Sequence, residues 1–325
     1  LNQEGLPMTM KRVAMLIAAV GLSVCAIAQT AGQAPAQPAE SKPAQPSGRP
    51  PIQAKSQAEY QAYQTAFASA QNPDAMEKAA DDFSGKFPDS DLRVLLYRAA
   101  MHGYQSAGNS SKMMDMGLKV LAIDRDDPEA LIGVAEVQEE HTSPTDLDRE
   151  QRMTQALTNA QHALETIETD LAVPAGSPPD KVEAYKKYLR ATALTIVGTI
   201  QYKREQYPDA EANLRKALEA DSINPDAVVI LRLALALDQE KKYPEALLQA
   251  NRAVELTKED TDVGKMARNE RDRLLIQTGT GNTPGGTTAP GGNAPGASAP
   301  AGAAPPSSPT PPANVPPQNP APPTH

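Results

Sequence analysis

Residues 191–224 read ATALTIVGTIQYKREQYPDAEANLRKALEADSIN, and the spacing of their apolar positions decides the fold. Leu194, Val197, Gly198 and Tyr202 fall on one face of a first helix. Tyr207, Ala210, Leu214, Ala217 and Leu218 fall on one face of a second. Pro208 suits the first helical position, where a missing N–H leaves nothing unsatisfied. Asp209 then puts a negative charge at the positive end of that helix. Gly198 and Ala210 are small where the two helices would cross most closely.

A second copy follows at once. Tyr243-Pro244-Glu245-Ala246 echoes Tyr207-Pro208-Asp209-Ala210, and Ala253 echoes Ala217, each 36 positions on. Isolated helices of this length are marginal in water. Stacked pairs bury a continuous core, so the repetition implies an array.

The stretch resembles one tetratricopeptide repeat and fits that pattern of roughly 34 residues without a gap. Leu194 stands at the family's Trp position and Val197-Gly198 at its Leu-Gly pair. Ala210, Leu214 and Ala217 occupy the second-helix positions. The resemblance implies an all-α, right-handed α-solenoid of about five helix pairs closed by a C-terminal capping helix.

Upstream, the same punctuation recurs. Asn72-Pro73-Asp74, Asp127-Pro128-Glu129 and Asn224-Pro225-Asp226 each combine a capping side chain, a proline and an acid, which predicts three helix starts. A helix starting near Ala54 carries Tyr60, Tyr63 and Phe67 on one face. Residues 91–107 form another, and residues 112–123 its partner, whose Met113 and Met116 read as core packing. The partner of the helix at Asp127 departs from the pattern. The spacing from Val120 to Ala163 leaves roughly nine extra residues, and Ser143 with Asp146 reads as a capping box. Ser177 with Asp180 can cap a long helix over residues 179–206, whose first half extends the apolar stripe with Val182, Tyr185 and Leu189 and could lean on the inserted loop of the preceding repeat. Residues 262–276 read as the cap, with Met266, Leu274 and Leu275 inward and Arg268, Arg271 and Arg273 outward.

The ends differ in composition. Residues 1–28 read as a secretory signal: Lys11-Arg12, then an apolar run too short for a membrane span, then Ala26-Ile27-Ala28 with cleavage after Ala28. The expected location is therefore periplasmic or secreted, with no membrane insertion after the signal is removed. Cys25 is the single cysteine and leaves with it, so neither disulfides nor thiolate chemistry are expected. Residues 29–53, rich in Pro, Ala and Gln, read as a linker to the repeat domain at residues 54–277. Residues 278–325 hold no Asp, Glu, Lys or Arg and read as a disordered Pro/Gly-rich tail.

A net charge of −9 without a basic stripe argues against nucleic acid, which needs Lys and Arg to neutralise phosphate. His102, His141 and His162 lie in different segments and form no i, i+4 metal pair, and no phosphate loop or nucleophile elbow is present. No metal, cofactor or catalytic residue is therefore assigned. What remains is binding to another protein or peptide. In tetratricopeptide arrays the first helices of successive pairs line a concave groove. Carried over by position, the resemblance places Arg98, His102, Gln105, Glu136, Glu139, Thr195, Thr199, Tyr202 and Lys203 in it. The Lys-and-Asn set that clamps a C-terminal carboxylate is absent, and a mixed polar groove suits an extended segment. The expected function is a non-enzymatic scaffold or adaptor. A structural cell-envelope protein acting through its tail is the alternative, and an unrecognised hydrolase, or a subunit of one, is a third.

Overall fold

The computed structural model describes residues 49–50, 52–173, 177–223 and 225–279, all of which fall in one packing unit. The expected signal, most of the linker and the tail beyond Gly279 lie outside the described residues, as do Cys25 and Asn224.

Among the described residues eleven helices follow one another: α1 (Gln57–Phe67), α2 (Pro73–Lys86), α3 (Leu92–Ser106), α4 (Ser110–Ile123), α5 (Pro128–Glu140), α6 (Arg149–Thr166), α7 (Pro179–Lys203), α8 (Tyr207–Ala220), α9 (Ala227–Gln239), α10 (Tyr243–Glu255) and α11 (Asp262–Gln277). No strand occurs among the described residues. Each helix packs on the next, and the first helices α3, α5, α7 and α9 also touch one another in sequence. The fold is therefore an all-α solenoid of five helix pairs with α11 as the terminal cap.

Local chemistry sets the starts. Asn72 accepts from the Ala75 N–H at 3.0 Å and Asp127 from that of Ala130 at 2.9 Å, each ahead of a proline in the first turn. At the third expected start the cap is Asp226, whose carboxylate accepts from Val228 N, so Pro225 precedes the helix. The first helix begins at Gln57, capped by Ser56. Two sequence-based caps are corrected. Ser143 and Asp146 close a turn, because α6 begins only after Asp148. Pro178 precedes α7 without any side-chain cap, so Ser177 does not serve there.

The turn inside a pair has a shared form. Asn109 N–H reaches Tyr104 O, Gln206 N–H reaches Gln201 O, and Lys242 N–H reaches Leu237 O, each at 2.9 Å. The residue before each donor is left-handed: Gly108 at φ 69°, Glu205 at 61° and Lys241 at 61°. This is the six-to-one closure of a helix C-terminus.

The core is built from small residues at crossings. A Cβ on Gly198 would lie 2.8 Å from Leu214 Cγ and 3.3 Å from the Ala210 carbonyl. A Cβ on Gly133 would meet Met101 Sδ and Met113 Cε, both at 3.2 Å, so those methionines fill the space glycine leaves. Ala156, Ala160 and Ala163 of α6 are fully buried, as are Ala246, Ala250 and Ala253 of α10. Met266 of α11 is 53% exposed rather than inward, and Gly264, Ala267, Glu270 and Leu274 form the packed face instead. At the other end Ile52 packs on the first core cluster and Arg49 pairs with Asp124, so the end of the expected linker docks on the helices.

Candidate functional site on the inner face

Helix α5, which packs against α3 and α7, carries Glu129, Glu136, Glu139 and Glu140. Their environments differ. Glu129 is 4% exposed, pairs with Arg98 of α3, and lies 2.7 Å from His102 Nε2. Arg98 also reaches Asp127 at 3.4 Å and the Ala172 carbonyl at 3.4 Å. Burial raises the Asp127 carboxyl, while Arg98 and the Ala130 N–H pull it down. Burial, helped by Arg98, lowers His102 to about 4. The imidazole is thus neutral at pH 7, and its Nε2–H donates to Glu129. Its Nδ1 is buried, and the neighbouring Gln105 side chain acts to raise the imidazole again.

Glu136 has no such cation in contact. Gln105 donates to it at 3.1 Å. Burial, then Glu140 and Glu139, push its carboxyl up to about 7, and Gln105 and Arg232 of α9 oppose the shift. Glu139, 4% exposed, is held by Lys203 of α7 at 2.6 Å, and the same ammonium donates to the Glu139 carbonyl at 2.7 Å. Glu140 is exposed, and its carboxyl is raised by desolvation and by Glu139.

The remaining expected groove residues lie on α7. The hydroxyls of Thr195 and Thr199 donate to the carbonyls four residues back, Ala191 at 2.8 Å and Thr195 at 2.7 Å. Tyr202 meets Tyr207 edge-on at 5.6 Å between ring centres, and burial raises its hydroxyl. Of the nine, Arg98, Glu139 and Thr199 are buried. Arg98, His102 and Gln105 gather with Glu136 around α5, Glu139 joins Lys203, and Tyr202 stands toward α9.

Several residues of this face are not among the nine. Tyr185 and Tyr188, from the first half of α7, stack at 6.2 Å and face Met101, His102, Gln105 and Glu136 across a cleft with a cavity volume near 20 Å³. That half of α7 is anchored to the end of α6 through Glu168, which takes Lys186 at 2.8 Å and also Arg190. Beyond Tyr202, Arg273 of α11 lies 2.9 Å from Glu270 and also pairs with Asp238 of α9. Asp238 was legible: it stands 36 positions after Tyr202, in the register of the preceding repeat. No group of three or more metal-ligating side chains occurs among the described residues, and no described helix is long and apolar enough to cross a membrane. The face offers hydrogen-bond acceptors and carboxylates that can hold a cationic or donor-rich group.

No protein-family model matches the chain, and no curated protein matches it. Solved structures do match. A thermophilic TPR protein of Thermus thermophilus is 15% identical with a TM-score of 0.40, over 65% of this chain and 98% of that one. The Cut9–Hcn1 hetero-tetramer of the APC/C gives 16% identity and a TM-score of 0.42, over 67% of this chain and 39% of that one. A tetratricopeptide repeat protein from Parabacteroides merdae gives 11% identity and 0.36, over 69% and 88%.

Proposed function

We propose that this chain is an exported, non-enzymatic scaffold that holds a segment of another protein on its inner face. The observation that carries the reading is the charge on α5. Glu136 and Glu140 form no ion pair among the described residues, and Glu136 is held in a cleft where it titrates near neutrality. Burying an uncompensated carboxylate is unfavourable, and carboxyls perturbed in this way cluster at functional sites. The Ala172 carbonyl, bonded to Arg98, and the start of α7 form a roof over part of α3. Export rests on the leader alone.

The test is a photo-crosslinking residue at Tyr202 in the living cell, with captured proteins identified by mass spectrometry. One dominant partner, lost when Thr195 and Lys203 are changed, supports the inner face as the working surface. No adduct at Tyr202, beside adducts from a probe in the tail, sinks it in favour of a protein acting through residues 278–325.

A further inference from the structure

We propose that the cleft between α3, α5 and the start of α7 is a socket for the ammonium group of a lysine side chain presented by the bound partner, with Glu136 and His102 as its acceptors. The proposal rests on the protein-binding reading above and names the chemistry recognised at that surface.

The cleft brings the Glu136 carboxylate and the His102 imidazole together with the hydroxyls of Tyr185, Tyr188 and Thr192, and no cation among the described residues lines it. The Glu136 carboxylate receives a hydrogen bond from the neutral Gln105 amide and keeps further lone pairs. His102 lines the same cleft, its ring fixed by the bond from Nε2 to Glu129 and its Nδ1 buried. A group that only donates suits both side chains, and an ammonium has three donors and no acceptor. Size agrees. The cavity volume near 20 Å³ is that of roughly one water, the dimension of a compact ammonium rather than of a planar guanidinium. The walls agree as well. Met101 and Leu189 offer apolar surface for a lysine stem, and Tyr185 supplies an aromatic face beside the charge.

The chain's own cations do not fill the socket. Arg98 is committed to Glu129, Asp127 and Ala172, and Lys203 to Glu139. Arg232 acts on Glu136 and Glu140 through space and makes no ion pair among the described residues. The groups facing Glu136 are thus His102, Gln105, Glu139, Glu140 and Arg232, and their sum leaves negative charge at the cleft.

The methionines that line the cleft supply the assay. The full chain is labelled with ¹³C at its methionine methyls and titrated with Nα-acetyl-lysine methylamide. Met101 and Met113 border the cleft, whereas Met76 and Met153 are buried away from it and serve as internal references. Saturable shifts confined to Met101 and Met113, with a Kd on the order of 10 mM, are expected for one charge-assisted contact. The Nε-acetylated compound gives none, and Glu136→Gln weakens the lysine compound roughly tenfold or more. Equal shifts from both compounds, no shifts from either, or unchanged affinity in Glu136→Gln overturns the socket. The crosslink at Tyr202 separates the two levels. A partner captured equally by the native chain and by Glu136→Gln leaves the scaffold standing and removes the lysine socket.

Discussion

The crossing of α7 and α8 at Gly198 yields a prediction in which a substitution changes sign with its surroundings. Alanine at 198 gains about 1 kcal/mol of helix propensity over glycine. Its Cβ would also lie 2.8 Å from Leu214 Cγ and 3.1 Å from Leu214 Cδ2, with the Ala210 carbonyl at 3.3 Å behind. Leu214 is fully buried, so it can yield only by leaving its rotamer or by parting the helices. Overpacking of this kind costs about 2 kcal/mol, and Gly198→Ala should destabilise by about 1 kcal/mol net. Leu214→Ala alone opens a cavity and should cost about 3 kcal/mol. In that background the clash is gone, and Gly198→Ala should stabilise by about 1 kcal/mol, from propensity and from the methyl entering the vacated space. Urea unfolding of the four proteins, followed by helical circular dichroism, measures the cycle. If Gly198→Ala has the same sign in both backgrounds, the close crossing does not decide why glycine stands there.

Other tests follow from the caps, turns and buried charges. Glycine in place of Glu205 or Lys241, both left-handed at φ 61°, should raise stability by about 1 kcal/mol each, and Gly108→Ala should lower it by a similar amount, read by urea midpoints. Asn72→Ala removes an exposed cap and should cost about 1 kcal/mol, whereas Asp127→Ala also strips a buried partner from Arg98 and should cost about 3 kcal/mol; equal losses in thermal unfolding would count against the buried network. His102, held at about 4 in the fold, makes stability fall as pH drops from 6.5 toward 4. Glu136, held at about 7 against 4.5 when unfolded, makes stability fall as pH rises through the overlapping window. Each effect is about 3 kcal/mol at most, so the two nearly cancel in the native chain. His102→Gln should make stability decline from pH 4.5 to 7 and Glu136→Gln should make it decline from 6.5 to 4, and urea midpoints across pH that tilt the same way for both variants would refute the assignment.

The repeats were legible because their signals are local. Asn72 and Asp127 cap the helices that follow them, Gly198 meets Leu214 across one turn, and Ala217 and Ala253 keep a fixed interval. The misread caps have the same origin. Ser143 and Asp146 satisfy a capping pattern, yet the chain uses their bond to close a turn before α6. Met266 carries no local mark that α11 turns it outward. The helices that carry the nine residues were legible by register, since Arg98, Glu136 and Tyr202 fall on α3, α5 and α7 as the repeat pattern requires. The roof was not, because the contact of Arg98 with Ala172 joins segments 74 positions apart and depends on where the 25-residue helix α7 comes to rest. The titrations at Glu136 and His102 were equally hidden, since burial and neighbours set them.

Helix α7 also changes how the array should come apart. In a simple solenoid each pair contacts only its neighbours, and unfolding travels from the ends one unit at a time. Here one helix belongs to the fourth pair by its C-terminal half and, by its first half, closes a cleft against α3 and α5, two pairs back. Melting the second pair therefore removes one wall of that cleft. Amide hydrogen exchange should then show α3 through α8 opening with one common free energy, while α1, α2 and α11 exchange sooner and separately. The protein would behave less like a row of beads than like a clasped book, whose middle pages turn together.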